Sequence, residues 1–400
     1  MPATGRPAVH VVVPDWIDDP ARPSGGNTYD RRVCSGLTAL GWDVRIHPLA
    51  GRWPAPEQSD LTGLAAVLDG IATGGVVLVD GLIGSSALTV LRPLGGRLSL
   101  VILVHLPLGV PAGDTGTGSV APGSASGERW VLKLASAVIT TSRWTRQWLL
   151  DRYGLDPDTV HAVAGGVDTA EVSAPSAAGG RLLCVAAVTP VKGHDVLLEA
   201  LSELDDMHWH LQCVGSPSVD AAFAAGLRGR AAGLAGRVDW SGPRTGAALS
   251  AAYAAADVLL VPSRAETYGL VVTEALARGL PVIGSEVGGL PEALGVGPGG
   301  PAGLLVAPGD PVTLRAAVRR WLSDPALRGE LRAAARSRRA QLRRWTAAAA
   351  EVSDVLARVA GATPSGMGAT RSAPSGDDVA GGVVAADDLA AGDRAGAVAR

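Results

Sequence analysis

The sequence predicts an α/β fold made of two similar, doubly wound parallel sheets. Three observations lead there. Short apolar runs alternate with amphipathic helical stretches, the order that gives parallel strands joined by helices. The 400 residues are 47% hydrophobic and 18% charged, enough to fill two cores of ordinary size. A stretch rich in Gly, Ala, Ser and Pro at 164–180 separates two halves with the same alternation.

In the first half, residues 8–13, 43–47, 75–79, 98–104, 137–141 and 160–163 read as strands. In the second half, 181–187, 209–214, 237–240, 258–261, 281–283 and 303–306 do. Helical periodicity lies between them, for example at 29–40, 195–204, 270–278 and 311–322. The arginine-rich stretch 326–360 reads as two terminal helices. The expected organisation is a first Rossmann-like domain at 1–165, a linker at 166–180 and a second Rossmann-like domain at 181–345. A terminal helix at 346–360 would pack back on the first domain. Residues 361–400 have no aromatic side chain and too little apolar surface to fold, so disorder is expected there. Residues 106–127 form a Gly/Pro/Ser-rich loop long enough to be functional or mobile.

Composition excludes several classes. A net charge of −3 leaves no nucleic-acid footprint. Cys34, Cys184 and Cys213 are far apart, and no C-x-x-C pair exists, so neither a zinc site nor a disulfide framework is indicated. The chain enters its first strand without a signal-peptide pattern, and no apolar run reaches the length of a membrane span. The expected location is the cytoplasm, with the inner face of the membrane as an alternative. Trp144 and Trp148, beside Arg143 and Arg146, share one helical face. Peripheral membrane contact is one reading of that face; tryptophans packed on the sheet is the favoured one.

The candidate site residues fall at the carboxyl ends of strands, where open α/β sheets bind ligands. Glu266 follows the apolar strand 258–261, and Glu274 lies about one turn into the next helix. Two carboxylates beside a helix N-terminus, which favours phosphate, suit a ligand with both hydroxyls and phosphates. A helix-dipole role is the alternative for both, although Glu274, amid Val271, Val272, Ala275 and Leu276, needs a partner. Lys192, in Thr189-Pro190-Val191-Lys192-Gly193, is one of only two lysines in an arginine-rich chain, the other being Lys133. A compact ammonium at a strand end suits a diphosphate. Gly25-Gly26 precede a helix and would let backbone approach a phosphate, or simply form a turn. His105 ends the strand 98–104 and could donate to a sugar hydroxyl or be structural.

Together these motifs resemble the retaining GT-B glycosyltransferases of family 4, the glycosyl transferases group 1, over residues 8 to 345. The most specific stretch is Pro262-Ser263-Arg264-x-Glu266-x-Tyr268-Gly269-Leu270, then Glu274-Ala275-Leu276-Ala277-x-Gly279-x-Pro281-Val282-Ile283 and Gly288-Gly289-x-Pro291-Glu292. Gly25-Gly26, Val167-Asp168 and Thr189-Pro190-x-Lys192-Gly193 fall in the family order. The resemblance implies two Rossmann-like domains facing across a cleft and a metal-independent hexosyl transfer from a nucleotide-sugar, UDP- or GDP-linked. No cofactor is implied beyond that co-substrate. The acceptor would be a small molecule, a glycan or a lipid-linked hydroxyl.

By resemblance, Glu266 faces the donor sugar, Glu274 binds the ribose, and Lys192 and the Gly25-Gly26 loop meet the diphosphate. His105 contacts the sugar, and Tyr268, Gly269 and Leu270 offer backbone amides. One departure stands out. The family commonly carries an arginine five residues before the lysine, and here that residue is Ala187. Either Arg264 substitutes for it or leaving-group stabilisation is weaker. Two other readings stay open: a nucleotide-sugar epimerase on the same architecture, and a weakly active nucleotide-sugar-binding protein.

Overall fold

A computed structural model of the chain describes residues 7–110, 124–234 and 236–361. The expected tail at 361–400 and the middle of the loop at 106–127 fall largely outside the described residues.

Six apolar runs of the first half form a wholly parallel sheet. They are β1 (Ala8–Pro14), β2 (Asp43–Leu49), β3 (Val76–Asp80), β4 (Ser99–Val104), β5 (Ala137–Thr140) and β6 (Val160–Ala162). Their spatial order is β2-β1-β3-β4-β5-β6. The central strands are buried on both faces, as Val76–Asp80 is along its whole length, which is why they read as continuous apolar runs rather than alternating ones. Helices cover both faces. One core packs around Leu64, Leu91, Ile102 and Leu149, the other around Tyr29, Leu37, Val101 and Ile139.

The second half repeats the plan with β7 (Arg181–Val185), β8 (His210–Val214), β9 (Val238–Gly242), β10 (Val258–Val261) and β11 (Val282–Ser285). A short antiparallel pair follows, β12 (Val296–Gly297) and β13 (Gly300–Pro301), and then β14 (Gly303–Val306) completes the sheet. The order is β14-β11-β10-β7-β8-β9, again parallel. Strand order reverses beside β1 in the first sheet and at β7 and β10 in the second. Loops leaving the strands at these points diverge and leave a crevice.

The helix Trp345–Gly361 lies against the first sheet's helix Gly25–Ala39. Ala348, Val352, Leu356 and Val359 join that half's core, and the Trp42 indole donates to Ser353 Oγ at 2.8 Å. The chain therefore crosses twice between halves, at 164–180 and again before Trp345. Val167 N donates to Arg343 O at 2.9 Å where the two crossings meet. Among the described residues no helix is long and apolar enough to cross a membrane. Trp148 packs edge-on to Tyr153 and against the first core, and Trp144 is partly buried.

Candidate active site

A cavity of about 730 Å³ opens where the carboxyl ends of the two sheets approach. That volume suits a drug-sized or nucleotide-sized ligand. The first half lines it with the start of the helix Gly25–Ala39, and with His105 and Leu106 after β4. The second half supplies the loops after β7, β8, β9 and β10.

The β10 loop carries the densest chemistry. Val261 leads into Pro262-Ser263-Arg264, and the helix Leu270–Ala277 starts with Gly269 as its N-cap at φ 93°. No side chain caps this helix, so its first amides, at the cavity wall, are free for an anion. Glu266 projects into the cavity, its side chain 12% exposed, and accepts from Lys192 Nζ at 2.7 Å. Lys192 ends a 3₁₀ turn, Pro190–Lys192, after β7. Two residues 74 apart in sequence thus share one ion pair.

The signature glycines hold these loops by close backbone approach. Gly193 (φ 69°) sits where a Cβ would lie 2.0 Å from the Pro262 carbonyl, so the Lys192 turn packs directly on the end of β10. Gly288 (φ 57°) leaves room for the Glu266 carbonyl, which a Cβ would meet at 1.8 Å, and Gly289 N donates to that same oxygen at 2.8 Å. Gly288→Ala is therefore expected to destabilise the protein by about 1–3 kcal/mol through backbone strain. It should also shift Glu266 and lower kcat. Thermal melting and turnover, measured together, check both effects.

Arg264 lies elsewhere than expected. Its guanidinium forms a two-pronged pair with Asp195, both bonds 2.7 Å, and donates to Pro190 O at 2.7 Å. It ties the β10 loop to the Lys192 turn and does not line the cavity. Burial alone would raise the Asp195 pKa, but the bonds from Arg264 outweigh it and hold the carboxyl below its ordinary value. Arg264 thus does not stand in for the arginine missing at Ala187. Ala187 is part of the wall, and Arg244, after β9, is the arginine among the described lining residues.

Glu274 also reaches the cavity. Its partner is Tyr253, whose hydroxyl donates to Oε2 at 2.8 Å, while the Arg278 guanidinium stacks 4.6 Å from the Tyr253 ring. Burial raises the Glu274 pKa despite that bond. A partner for this carboxylate was expected from its apolar surroundings; that it is a tyrosine 21 residues away was not legible.

Gly25 and Gly26 form the first turn of a helix rather than a separate turn before it, because Ser24 caps the helix through Asn27 N at 3.0 Å. Both line the cavity. A Cβ on Gly26 would meet the His105 ring at 3.2 Å, so the glycine seats that ring. His105 Nε2 lies 2.8 Å from Asp30 Oδ1 and 3.7 Å from Asp80 Oδ2. Among the described residues these three side chains are the group whose ligand-type atoms all lie within 4.8 Å of one another. Burial would lower the His105 pKa, but the Asp30 and Asp80 carboxyls outweigh it and raise it to about 9. Burial, then the charge of Asp30, raises Asp80 to about 7.

Two more carboxylates, Glu128, which no sequence motif marks, and Glu292, which ends the signature stretch, shape the surroundings. Glu128 is fully buried, accepts from the Tyr153 hydroxyl at 2.6 Å and from Leu108 N at 3.0 Å, and so anchors the chain just beyond His105. Glu292, after β11, accepts from Arg143 N at 2.9 Å and Trp144 N at 3.3 Å. It caps a helix of the first half from the second and spans the crevice.

The chain matches two family models: the glycosyl transferases group 1 over residues 179–324, and glycosyltransferase family 4 over 82–171. It is 34% identical to the D-inositol 3-phosphate glycosyltransferase of Mycolicibacterium gilvum over 181 residues, 42% of this chain and 40% of that protein. Identity to the protein of the same name from Kineococcus radiotolerans is 35% over 176 residues, 39% of this chain and 40% of that one. The chain thus spans about two fifths of the length of these relatives. Among solved structures it superposes on sucrose-phosphate synthase from Thermosynechococcus elongatus with a TM-score of 0.74 at 22% identity, covering 88% of this chain and 99% of that one. Anabaena HepE in complex with UDP-glucose gives 0.70 at 16% identity, covering 88% and 99%.

Proposed function

The chain belongs to the group 1, family 4 glycosyltransferases of GT-B architecture, and from that premise we propose that it moves a hexosyl group from a UDP- or GDP-sugar to an acceptor hydroxyl with retention. The observation that carries the reading is the convergence of Glu266, Lys192, Glu274 and an uncapped helix N-terminus on one cavity between two sheets.

In this mechanism the nucleotide lies against the second half. Glu274 accepts from the ribose hydroxyls, and the amides of Gly269 and Leu270 meet the diphosphate. The bond between the anomeric carbon and the diphosphate oxygen breaks through an oxocarbenium-like state. Charge builds on the diphosphate, where Lys192 and the loop amides stabilise it. Preorganised electrostatics of this kind is usually the largest catalytic effect. Glu266, released from Lys192, turns to the sugar hydroxyls. The acceptor oxygen bonds to the anomeric carbon on the face the diphosphate leaves, and its proton passes to the leaving phosphate oxygen. His105 contacts the sugar from the first half. None of these roles calls on a metal.

The test is a panel of UDP-, GDP-, ADP- and TDP-sugars, scored by nucleotide release and by thermal shift. Transfer to an added acceptor supports the proposal. Conversion of the donor without acceptor makes the protein an epimerase, and a thermal shift without turnover makes it a binding protein.

The relatives' name includes a phosphorylated acceptor. Here, among the described residues, the first half's wall has no Lys or Arg, and it includes Leu106, an apolar side chain on a residue 48% exposed. A neutral polyol is therefore expected to be the better acceptor, with kcat/KM roughly tenfold above its phosphate ester, the worth of one unpaired buried charge or hydrogen bond. Parallel initial rates with inositol and inositol phosphate check it.

A further inference from the structure

The way His105 is held is a feature that the proposed reaction leaves unused. Asp30 and Asp80 are 3% and 4% exposed and come from different elements, the helix Gly25–Ala39 and the end of β3. Asp80 Oδ1 accepts from Leu82 N at 2.7 Å. Asp30 Oδ1 faces His105 Nε2, whereas Asp30 Oδ2 is buried with no donor beside it. Two buried carboxylates this close resist ionising together, and Asp80 keeps its proton up to about pH 7. A single proton on Asp80, shared with Asp30, satisfies the orphan oxygen and leaves one negative charge facing the imidazole. That charge engages Nε2 and leaves Nδ1 as the ring nitrogen for the cavity, which His105 lines with a side chain 17% exposed. The Tyr29 ring, edge-on at 5.5 Å, and Gly26 confine the imidazole from the other sides.

We infer that Asp30 and Asp80 form a proton-sharing carboxyl pair that holds His105 as an imidazolium, so that Nδ1–H is donated into the cavity to the sugar being transferred. Asp30 is thus a positioning residue, and this inference rests on the glycosyl transfer proposed above for what the donated proton meets. The charged groups facing His105 are Asp30 from the helix and Asp80 from β3. A neutral imidazole would keep its one proton on Nε2 toward Asp30 and offer Nδ1 only as an acceptor. Donation to the sugar therefore persists while the ring is charged, and is lost as pH rises through about 9.

The experiment combines turnover with a titration of His105 followed by NMR of its ring carbon. In the unaltered protein the ring should titrate near 9 and the alkaline limb of kcat should coincide with it. Asp30→Asn removes the nearer carboxylate and leaves the Asp80 carboxyl, 3.7 Å from Nε2, as the remaining partner. The titration and the limb should both fall toward 6.5, the ordinary value, and kcat should drop roughly 10²-fold, the scale of a lost proton donor, with donor KM nearly unchanged. Asp80→Asn keeps a donor to Asp30, so its loss should be smaller and its limb should stay near that of the unaltered protein.

A His105 that titrates near 6.5 in the unaltered protein overturns the inference without any variant. So does an Asp30→Asn protein with an unmoved limb, or a ring signal and kcat that change on adding Mn²⁺ or Zn²⁺, which would make the cluster a cation site. If His105 titrates as expected but no sugar donor is turned over, the proposed reaction fails and the carboxyl pair stands.

Discussion

Lys192→Ala is expected to lower kcat by about 10²- to 10³-fold, the cost of removing one preorganised group that stabilises developing charge. The reason is scarcity. Where the resemblance calls for an arginine as well as a lysine, this chain has Ala187, and Arg264 is committed to Asp195. Lys192 and Arg244 are the lysine and arginine among the described lining residues, and Lys192 is the one at Glu266. Folding should change little. The Lys192 side chain is 31% exposed and ends its turn at the surface of the cavity, so its loss opens no core. Its removal also leaves Glu266 without its ion-pair partner, which makes the site more negative where the diphosphate must bind. Lys192→Arg should recover only part of the loss, since a planar fork does not reproduce a compact ammonium. Turnover at saturating donor and acceptor, with melting temperature recorded alongside, decides the matter. Unchanged kcat removes Lys192 from the mechanism.

Both six-stranded sheets were legible because buried parallel strands write themselves as apolar runs, and Gly, Pro and polar breaks bound them. The donor-side loops were legible for a similar reason: their chemistry is local, with Glu266, Gly269 and Glu274 within nine residues of one another. The sequence did not reveal short local elements or contact between distant segments. The β12–β13 pair is two residues on each side and has no period to detect. The helix at Gly25 was expected to start at Tyr29, because paired glycines look like a turn until Ser24 is recognised as the cap. Tyr253 meets Glu274, and Asp30 and Asp80 meet His105, through the packing of separate elements, which no spacing encodes. One signal was available. Asp80 ends the otherwise apolar run Val76-Val77-Leu78-Val79, and Asp30 follows Tyr29 on a helix, both positions where a carboxylate needs a buried partner.

Asp257→Ala should have the opposite signature to Lys192→Ala: a large loss of stability and an intact reaction. Asp257 is fully buried immediately before β10. It accepts from Ser176 N and Ser176 Oγ, both at 2.6 Å, from Arg181 N at 2.8 Å and from the Arg181 guanidinium at 3.0 Å. These bonds fasten the connection between the halves to the start of β7 and to β10, the strands whose far ends carry Lys192 and Glu266. Removing one partner of such a network strands the others, at a cost of about 3–5 kcal/mol, or a fall in melting temperature on the order of 10 °C. The pH dependence has a definite sign. Burial would raise the Asp257 pKa, but the bonds from Arg181 and Ser176 outweigh it and hold the pKa below its ordinary 3.8. Its contribution is therefore full above that value and lost as pH falls through the lower folded pKa. Asp257→Ala should abolish this acid-side step in a plot of stability against pH. The network lies at the amino ends of β7 and β10, away from the cavity, so kcat measured well below the lowered melting temperature should stay within about twofold, as expected for a site that makes no contact with the transition state. A fall in kcat that tracks the loss of stability would instead mean that the two loops are held in place from the far ends of their own strands.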